Sequence, residues 1–212
     1  MSTIKVNNIE DVKTLTIGDA TAEDTKIVFD GNAQDFHIGL DDSADSLTIG
    51  LGSTLGTTSH MVFDANGHIT KPLQPAFLVG KSAAQTNIAE GGYVDVVFDS
   101  EIFDQNGDFS SNTFTAPVTG RYHLNATVRL QDLDVDAHFI YMDLVTSNRT
   151  YQSIITISSF DEDVEYHHLL ISVLADMDSG DTAIAKLYLH AGGDVQVDLG
   201  QAESFFSGYL AC

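Results

Sequence analysis

The chain has 212 residues, with 31 acidic and 9 basic side chains and a formal net charge of −22. Affinity for nucleic acid comes mainly from basic side chains that displace counterions from phosphates, so this composition argues against nucleic acid as a partner. Hydrophobic residues make up 43% of the chain, which excludes an acidic disordered protein. No apolar run approaches the ~20 residues of a membrane-spanning helix, so we expect no insertion into a membrane.

The first ~70 residues consist of short apolar pieces that partly repeat. Leu-Thr-Ile-Gly occurs at 15–18 and at 47–50, and Val-Phe-Asp occurs at 28–30 and at 62–64. The pieces end in Gly, Asp or Asn, which are turn formers, so the pattern predicts short strands. Strands this short need neighbours to bury an apolar face. Stacked repeats, three chains wound together, or an ordinary small β-domain would each provide them.

A proline-containing segment separates this region from a longer one. Pro72 and Pro75 remove two backbone donors within four residues, which predicts a linker at 71–75 between units 1–70 and 76–212. In the second unit, apolar residues alternate with polar ones from Tyr122 to Leu130, a pattern that indicates a half-buried antiparallel strand. Many such strands with polar turns predict an all-β sandwich or barrel. The other candidate strands are 93–98, 138–145, 150–158, 165–175, 182–190 and 204–210.

The most specific motif of the second unit is Phe-Thr-Ala-Pro-x-x-Gly-x-Tyr at 114–122. Phe114 and Tyr122 are expected to anchor one core across a turn, in which Pro117 fixes φ and Gly120 adopts a positive φ. With a Gly-Asp turn and an aromatic closing strand, residues 76–212 resemble the C1q-like head domain. The resemblance implies a jelly-roll sandwich of the C1q and tumour-necrosis-factor type that forms homotrimers. It rests on Phe109, Phe114, Pro117, Gly120, Tyr122, Gly180, Asp181, Phe206 and Gly208.

The first unit also resembles a known class of proteins. Segments 1–9, 26–32 and 36–42 are similar to fibre-like structural proteins of tailed phages that infect marine bacteria. The resemblance implies a virion protein with a short β-rich stalk that docks to other virion proteins by its N-terminus. Its head would contact a host surface glycan or protein. The opening residues have no apolar stretch typical of a signal peptide, so we expect synthesis in the host cytoplasm and assembly into the particle.

Three alternatives remain open at this stage. A capsid or tail decoration protein would have the same fold and no host binding. A secreted lectin-like module with a C1q domain would also have this fold. A glycan hydrolase would need a pair of carboxylates at a fixed separation, which a sequence cannot show.

The chain carries no recognisable catalytic motif. It has no Gly-x-Ser-x-Gly elbow, no phosphate-binding loop with lysine and no His-Glu-x-x-His. The single cysteine, Cys212, has no supporting context for a nucleophile and cannot form an internal disulfide. We therefore expect a protein that binds and does not catalyse, without a cofactor.

Two acidic clusters are candidate sites. Asp132, Asp134 and Asp136 alternate along the chain, and carboxylate oxygens are the ligands that Ca²⁺ prefers. They are a candidate calcium site, with a solvated acidic loop as the alternative. Because loops on a rigid scaffold often carry recognition, the second cluster is a candidate recognition surface. It consists of Asp161, Glu162 and Asp163.

Histidines and tyrosines provide weaker candidates. His167 and His168 are adjacent, so on a strand they point to opposite faces and can form one metal site only across a three-fold axis. Tyrosines on several predicted strands of the head would either stack on sugar rings or pack in the core and interfaces. They are Tyr141, Tyr151, Tyr166 and Tyr188.

Overall fold

The computed structural model describes residues 9–191, 196–200 and 203–212. The chain divides into two compact units, Met1–Leu73 and Gln74–Cys212, and the division falls within 71–75. Apart from two short 3-10 helices, Asp42–Ala44 and Ile157–Ser159, the regular structure of the described residues consists of β-strands, so the predicted all-β class is confirmed. No helix in the described ranges is both long and apolar enough to cross a membrane.

The N-terminal unit contains one antiparallel sheet whose strands pair in chain order. Of the two Leu-Thr-Ile-Gly pieces, only 47–50 lies in a strand, whereas 15–18 lies outside the strands. Both Val-Phe-Asp pieces begin in strands, the first and the fourth. The five strands are β1 (Thr25–Phe29), β2 (Phe36–Asp41), β3 (Ser46–Leu51), β4 (Ser59–Phe63) and β5 (Ile69–Thr70).

The C-terminal unit, the head, contains two packed sheets. All of its strand pairs are antiparallel. The strands are β6 (Ala76–Gly80), β7 (Gln85–Ala89), β8 (Tyr93–Asp95), β9 (Ser100–Asp104), β10 (Phe109–Ser110), β11 (Thr113–Thr115), β12 (Gly120–Leu133), β13 (Ala137–Thr146), β14 (Thr150–Ile155), β15 (Val164–Met177), β16 (Thr182–Ala191), β17 (Gln196–Leu199) and β18 (Phe205–Leu210).

The order of these strands is that of a jelly roll. One sheet, the first sheet, contains β9-β6-β18-β12-β15, and the other, the second sheet, contains β10-β11-β16-β13-β14. Taking β6, β11, β12, β13, β14, β15, β16 and β18 as eight successive strands, the first pairs with the last, the second with the seventh, the third with the sixth and the fourth with the fifth. Nested antiparallel pairing of this kind defines the double Greek key. The predicted jelly-roll sandwich is therefore confirmed.

The core of the head lies between the two sheets. Tyr122, Leu124, Ala126, Val128 and Leu130 are all buried, which confirms the alternation predicted for this strand. Their counterparts on the opposite sheet come mainly from alternate positions of β13 and β16. These are Ile140, Met142, Leu144, Ala183, Ala185, Leu187 and Leu189.

Candidate functional site

The motif that identifies the head builds its aromatic core. Phe77 lies at the centre, with ring centroids 4.7 Å from Phe114, 5.0 Å from Phe206 and 5.2 Å from Phe109. Phe114 contacts Tyr122 at 5.3 Å, so these two residues do anchor one core, as predicted. The Tyr122 hydroxyl donates to the Val118 carbonyl at 2.7 Å. These side chains hold the sandwich together and are not accessible to a ligand.

The three glycines on which the resemblance rests have different roles from one another. Gly180 has a φ of +93°, in the turn before β16. The positive φ predicted for Gly120 is wrong. Gly120 lies against the chain terminus, where an added Cβ would meet Leu210 Cδ1 at 2.6 Å and the Cys212 carbonyl at 2.8 Å. Gly208 is likewise closely packed, against Leu124 and Phe77.

The outward face of the first sheet is a candidate interaction surface of the head. Leu170 and Leu174 project from β15, and Leu174 is 58% exposed. Tyr209 of β18 is also exposed, with His123 beside it at a ring distance of 5.4 Å. Phe103 of β9 extends the exposed apolar area at the other edge. We call this surface the head face.

Strand register brings these side chains into continuous rows. Leu174 lies opposite His123, which lies opposite Tyr209. Leu170 lies opposite Thr127, which lies opposite Phe205. The twelve outward positions of the central rows include no carboxylate, lysine or arginine, in a chain of net charge −22. They are Ala76, Leu78, Gly80, His123, Asn125, Thr127, Leu170, Ser172, Leu174, Phe205, Ser207 and Tyr209.

Two shallow grooves mark the β6 side of the head face. One, of about 460 Å³, is lined by Leu78, Phe103, Tyr209 and their neighbours. The other, of about 430 Å³, continues past Leu78 to Ile102 and to the buried Lys81. The Lys81 ammonium donates to the Val97 carbonyl at 2.9 Å. Burial lowers the pKa of Lys81, and the negative charge of nearby Asp99 offsets part of this shift. Charge therefore appears only at the edge of this surface.

The outward face of the second sheet carries an aromatic ladder. Tyr141 and Tyr188 are stacked at 4.9 Å, Phe139 and His190 at 4.6 Å, and Phe139 and Tyr141 at 5.6 Å. These rings therefore pack against one another along the outward face of the second sheet. Of the other two tyrosines, Tyr151 packs against the core, and Tyr166 has the Arg129 guanidinium 4.9 Å from its ring centroid. Tyr141, Tyr151 and Tyr188 are therefore packed against other side chains, whereas Tyr166 is 53% exposed.

A buried carboxylate lies beside the ladder, and the sequence did not indicate it. Asp143 is 3% exposed and accepts hydrogen bonds from the Tyr93 hydroxyl at 3.0 Å and from Gln152 Nε2 at 2.9 Å. The Tyr141 hydroxyl, burial and Asp143 together raise the pKa of Tyr93. Tyr93 and Asp143 are separated by 50 residues, so no local pattern links them.

The two acidic loops meet at one end of the head. The Asp163 carboxylate accepts from the Val135 N–H at 3.0 Å, and the Asp134 carboxylate accepts from the Asp136 N–H at 2.8 Å. A cavity of about 370 Å³ lies between the loops, lined by Asp132, Asp134, Asp163, Glu165 and two apolar neighbours. Within the described ranges, no group of three or more His, Cys, Asp or Glu side chains is arranged to hold a metal ion. Calcium at Asp132, Asp134 and Asp136 stays a prediction.

The adjacent histidines of β15 point to opposite faces of the strand, as predicted. His167 points inward and is half-buried, whereas His168 points outward and is exposed. Burial, and then His168, lower the pKa of His167. Asp161 and Glu162 are exposed at the tip of the loop before β15, and Cys212 is exposed at the chain end.

Comparison with known proteins finds similarity only at the level of structure. No family model matches the chain, and no curated protein matches it. Similar solved structures include the globular domain of zebrafish complement 1qA, which is 18% identical and has a TM-score of 0.47 over 66% of this chain and 98% of that chain. Murine APRIL at pH 5.0 is 12% identical with a TM-score of 0.47, over 65% of this chain and 98% of that chain. Murine APRIL at pH 8.5 is 11% identical with a TM-score of 0.46, again over 65% of this chain and 98% of that chain. The assignment of the jelly roll rests on the strand order given above.

Proposed function

We propose that this protein is a homotrimeric binding protein without catalytic activity, built into a bacteriophage particle as a fibre-like or knob-like appendage. The head face carries the proposal for self-association. It combines exposed large apolar residues, such as Leu170, Leu174 and Tyr209, with central rows that lack carboxylates, lysine and arginine. Burial of apolar area contributes about 25 cal/mol per Å², so this surface favours an apolar partner.

A second copy of the same chain fits the charge pattern of this surface. Copies with net charge −22 repel one another wherever their carboxylates come close. They associate best through a patch from which carboxylates are absent, and the central rows of the head face are such a patch. Depletion of charge at the centre, with polar residues at the rim, is also the usual anatomy of a stable interface. Three copies is the number implied by the resemblance to C1q-like heads, and closed rings are the common symmetry of homo-oligomers.

The virion role rests on the resemblance of segments 1–9, 26–32 and 36–42 to phage fibre proteins. In this proposal the N-terminal unit attaches to other virion proteins and the head contacts a host surface glycan or protein. The loops 131–137 and 159–165, which meet at Val135 and Asp163, are the proposed contact surface. Several trimers on one particle would supply avidity that a single weak site lacks.

The oligomeric state is the first test. Native mass spectrometry or light scattering of the full chain should give three times 22.9 kDa. Leu174→Asp should weaken the association of the heads and raise the protein concentration at which trimers form, because it places three carboxylates in the interface. Ile154→Asp is the matched control, since Ile154 is 57% exposed on the second sheet and Leu174 is 58% exposed on the first. A wild-type monomer, or equal effects of the two substitutions, would contradict the proposed interface.

The location of the protein is the second test. Immunogold labelling of phage particles should place it on an appendage, and purified trimer should bind host cells. Labelling of the capsid shell together with no binding to cells would favour the decoration protein. A protein exported by bacteria and absent from particles would favour the lectin-like module. Turnover of host polysaccharide would contradict the absence of catalysis.

A further inference from the structure

The sheet of the N-terminal unit has an unusual distribution of side chains. In β2, Ile38 and Leu40 are 37% and 46% exposed, whereas His37 before them and Asp41 after them are buried. In β3, Leu47 is exposed while Thr48 is buried. The large apolar residues thus lie on the open face and the polar residues on the covered one.

Strand register extends the open face across all five strands. One row joins Ile27, Ile38, Ile49 and Met61 through direct pairings. A second row joins Leu40, Leu47, Phe63 and Ile69, and a third joins Phe29, Phe36 and Leu51. We call these eleven residues the apolar face. Because they are all uncharged, the apolar face itself lacks the ions that would hold an acidic or basic partner.

The opposite face is covered by the chain's own loop 52–58. Leu55 of this loop is buried, and a Cβ added to Gly39 would meet its Cδ2 at 3.0 Å. His37 Nδ1 lies 2.9 Å from the Gly52 carbonyl oxygen. A Cβ added to Gly50 would overlap the Thr58 carbonyl oxygen. The loop therefore occupies the polar face closely. The apolar face is largely open within the described residues of this unit, with Ile17 beside it at a groove of about 310 Å³.

We propose that the apolar face is a second self-association surface, at which three copies of the N-terminal unit close around a common axis with these side chains inside. The inference rests on the proposed function only for the number of copies. Its own support is the composition of the face, which presents eleven apolar side chains and no charge in a chain of net charge −22. Acidic residues, including Asp30, Asp35 and Asp64, lie at the turns around it, so copies that meet at this face keep these carboxylates at the rim. A second copy of the same face matches it in polarity.

The width of the sheet also suits three copies. Four spacings of ~4.8 Å between five strands give a face about 19 Å wide. Three such faces arranged as a triangular prism lie about 5.5 Å from the axis, close to half of the ~10 Å at which two sheets pack. Four copies would lie about 9.5 Å from the axis and leave a hole that side chains of this size do not fill. Three copies also bring the edge strands β1 and β5 of neighbours together, and free strand edges are otherwise prone to uncontrolled pairing.

Site-directed cross-linking in the full chain tests this arrangement. The natural cysteine is first removed by Cys212→Ala. Ile38→Cys then places a thiol at the centre of the apolar face, and Val28→Cys places one on the opposite face at 36% exposure, matched to 37% for Ile38. A short trifunctional maleimide should move the Ile38→Cys chain from the monomer band to a covalent trimer band on a denaturing gel. The Val28→Cys chain should remain monomeric.

The possible outcomes separate this inference from the proposed head trimer. A trimer by native mass whose Ile38→Cys variant does not cross-link overturns the inference and leaves the head proposal standing. Covalent dimers alone, or equal cross-linking from Val28→Cys, also overturn it. Covalent trimers that persist when Leu174→Asp is added support the apolar face as an independent surface. Leu47→Cys on the same face repeats the test if Ile38→Cys does not fold.

Discussion

The two units of this protein use the same alternation of side chains with opposite results. In the head, β12 sends Tyr122 and Leu124 into a core where both are 0% exposed, because the second sheet lies opposite. In the N-terminal unit, β2 presents Ile38 and Leu40 to an open face, because the residues described from position 9 onward form only one sheet there. A period of two places apolar residues on one face of a strand. Whether that face is buried depends on what packs against it.

This contrast predicts that a truncation in the core of the head lowers the free energy of unfolding more than any other change considered below. Phe77→Ala removes a ring that is 1% exposed and contacts Phe109, Phe114 and Phe206. Truncation of a buried Phe costs about 3–5 kcal/mol, so we expect a large fall in the free energy of unfolding of the head in urea. Phe36→Ala, at 43% exposure on the apolar face, should cost less than Phe77→Ala. Similar losses for both variants would break the contrast between a closed core and an open face.

The second largest effect on stability is expected on the polar face of the N-terminal sheet, which the loop 52–58 covers. A Cβ at Gly39 would meet Lys26 Cβ and the Thr25 carbonyl oxygen at 2.6 Å and Leu55 Cδ2 at 3.0 Å, so Gly39→Ala should displace both β1 and the loop 52–58. Overpacking of this kind costs about 1–3 kcal/mol. Hydrogen exchange should accelerate in β2 and β3 while the head stays protected. Gly92→Ala is the control, since nothing lies within 4 Å of an added Cβ there, and an equal effect of both substitutions would contradict close packing of the loop.

A smaller effect is expected from a carboxylate in the head. Burial, and then Asp104, raise the pKa of Asp108, and its Oδ2 has no hydrogen-bond partner. A raised pKa in the folded state means that the protonated form is favoured on folding. This contribution is complete below the unfolded pKa of 3.8 and is lost as pH rises through the folded pKa.

Asp108→Asn should therefore raise the melting temperature at pH 7, by an amount equivalent to less than about 1 kcal/mol. It should have little effect near pH 3, where the native side chain is already protonated. Asp161→Asn, at an exposed loop position, is the control. A lower melting temperature for Asp108→Asn at pH 7 would show that the ionised carboxylate stabilises the fold.

The smallest effect is expected at the acidic loops. Asp134 and Asp163 already accept hydrogen bonds from backbone N–H groups, which stabilises the loops without a metal. We therefore expect the same melting temperature of the head with a chelator and with millimolar Ca²⁺. An increase with Ca²⁺ that Asp132→Asn removes would instead establish the calcium site.

Several features of the head were predictable because they depend on local or repeated patterns. Alternation identified β12, β13, β15 and β16 with small differences at their ends, and the Phe114 to Tyr122 motif identified its jelly roll. The short strands β7 and β9 were missed, because their sequences lack a run of alternating apolar residues. The strand β17 was missed because it is only four residues long. Gly120 was assigned the wrong role, because its constraint comes from the approach of Leu210 and Cys212, about 90 residues away.

The sequence by itself determined the all-β class, the alternation of side chains and the absence of charge from particular rows, since these follow from residue types at a spacing of two. Only the tertiary structure decided which rows are buried. It placed Tyr93 beside Asp143, aligned the head face across β15, β12 and β18, and laid loop 52–58 over the polar side of the N-terminal sheet. The physical reason is that burial depends on contacts between distant segments, which a local pattern permits but does not specify.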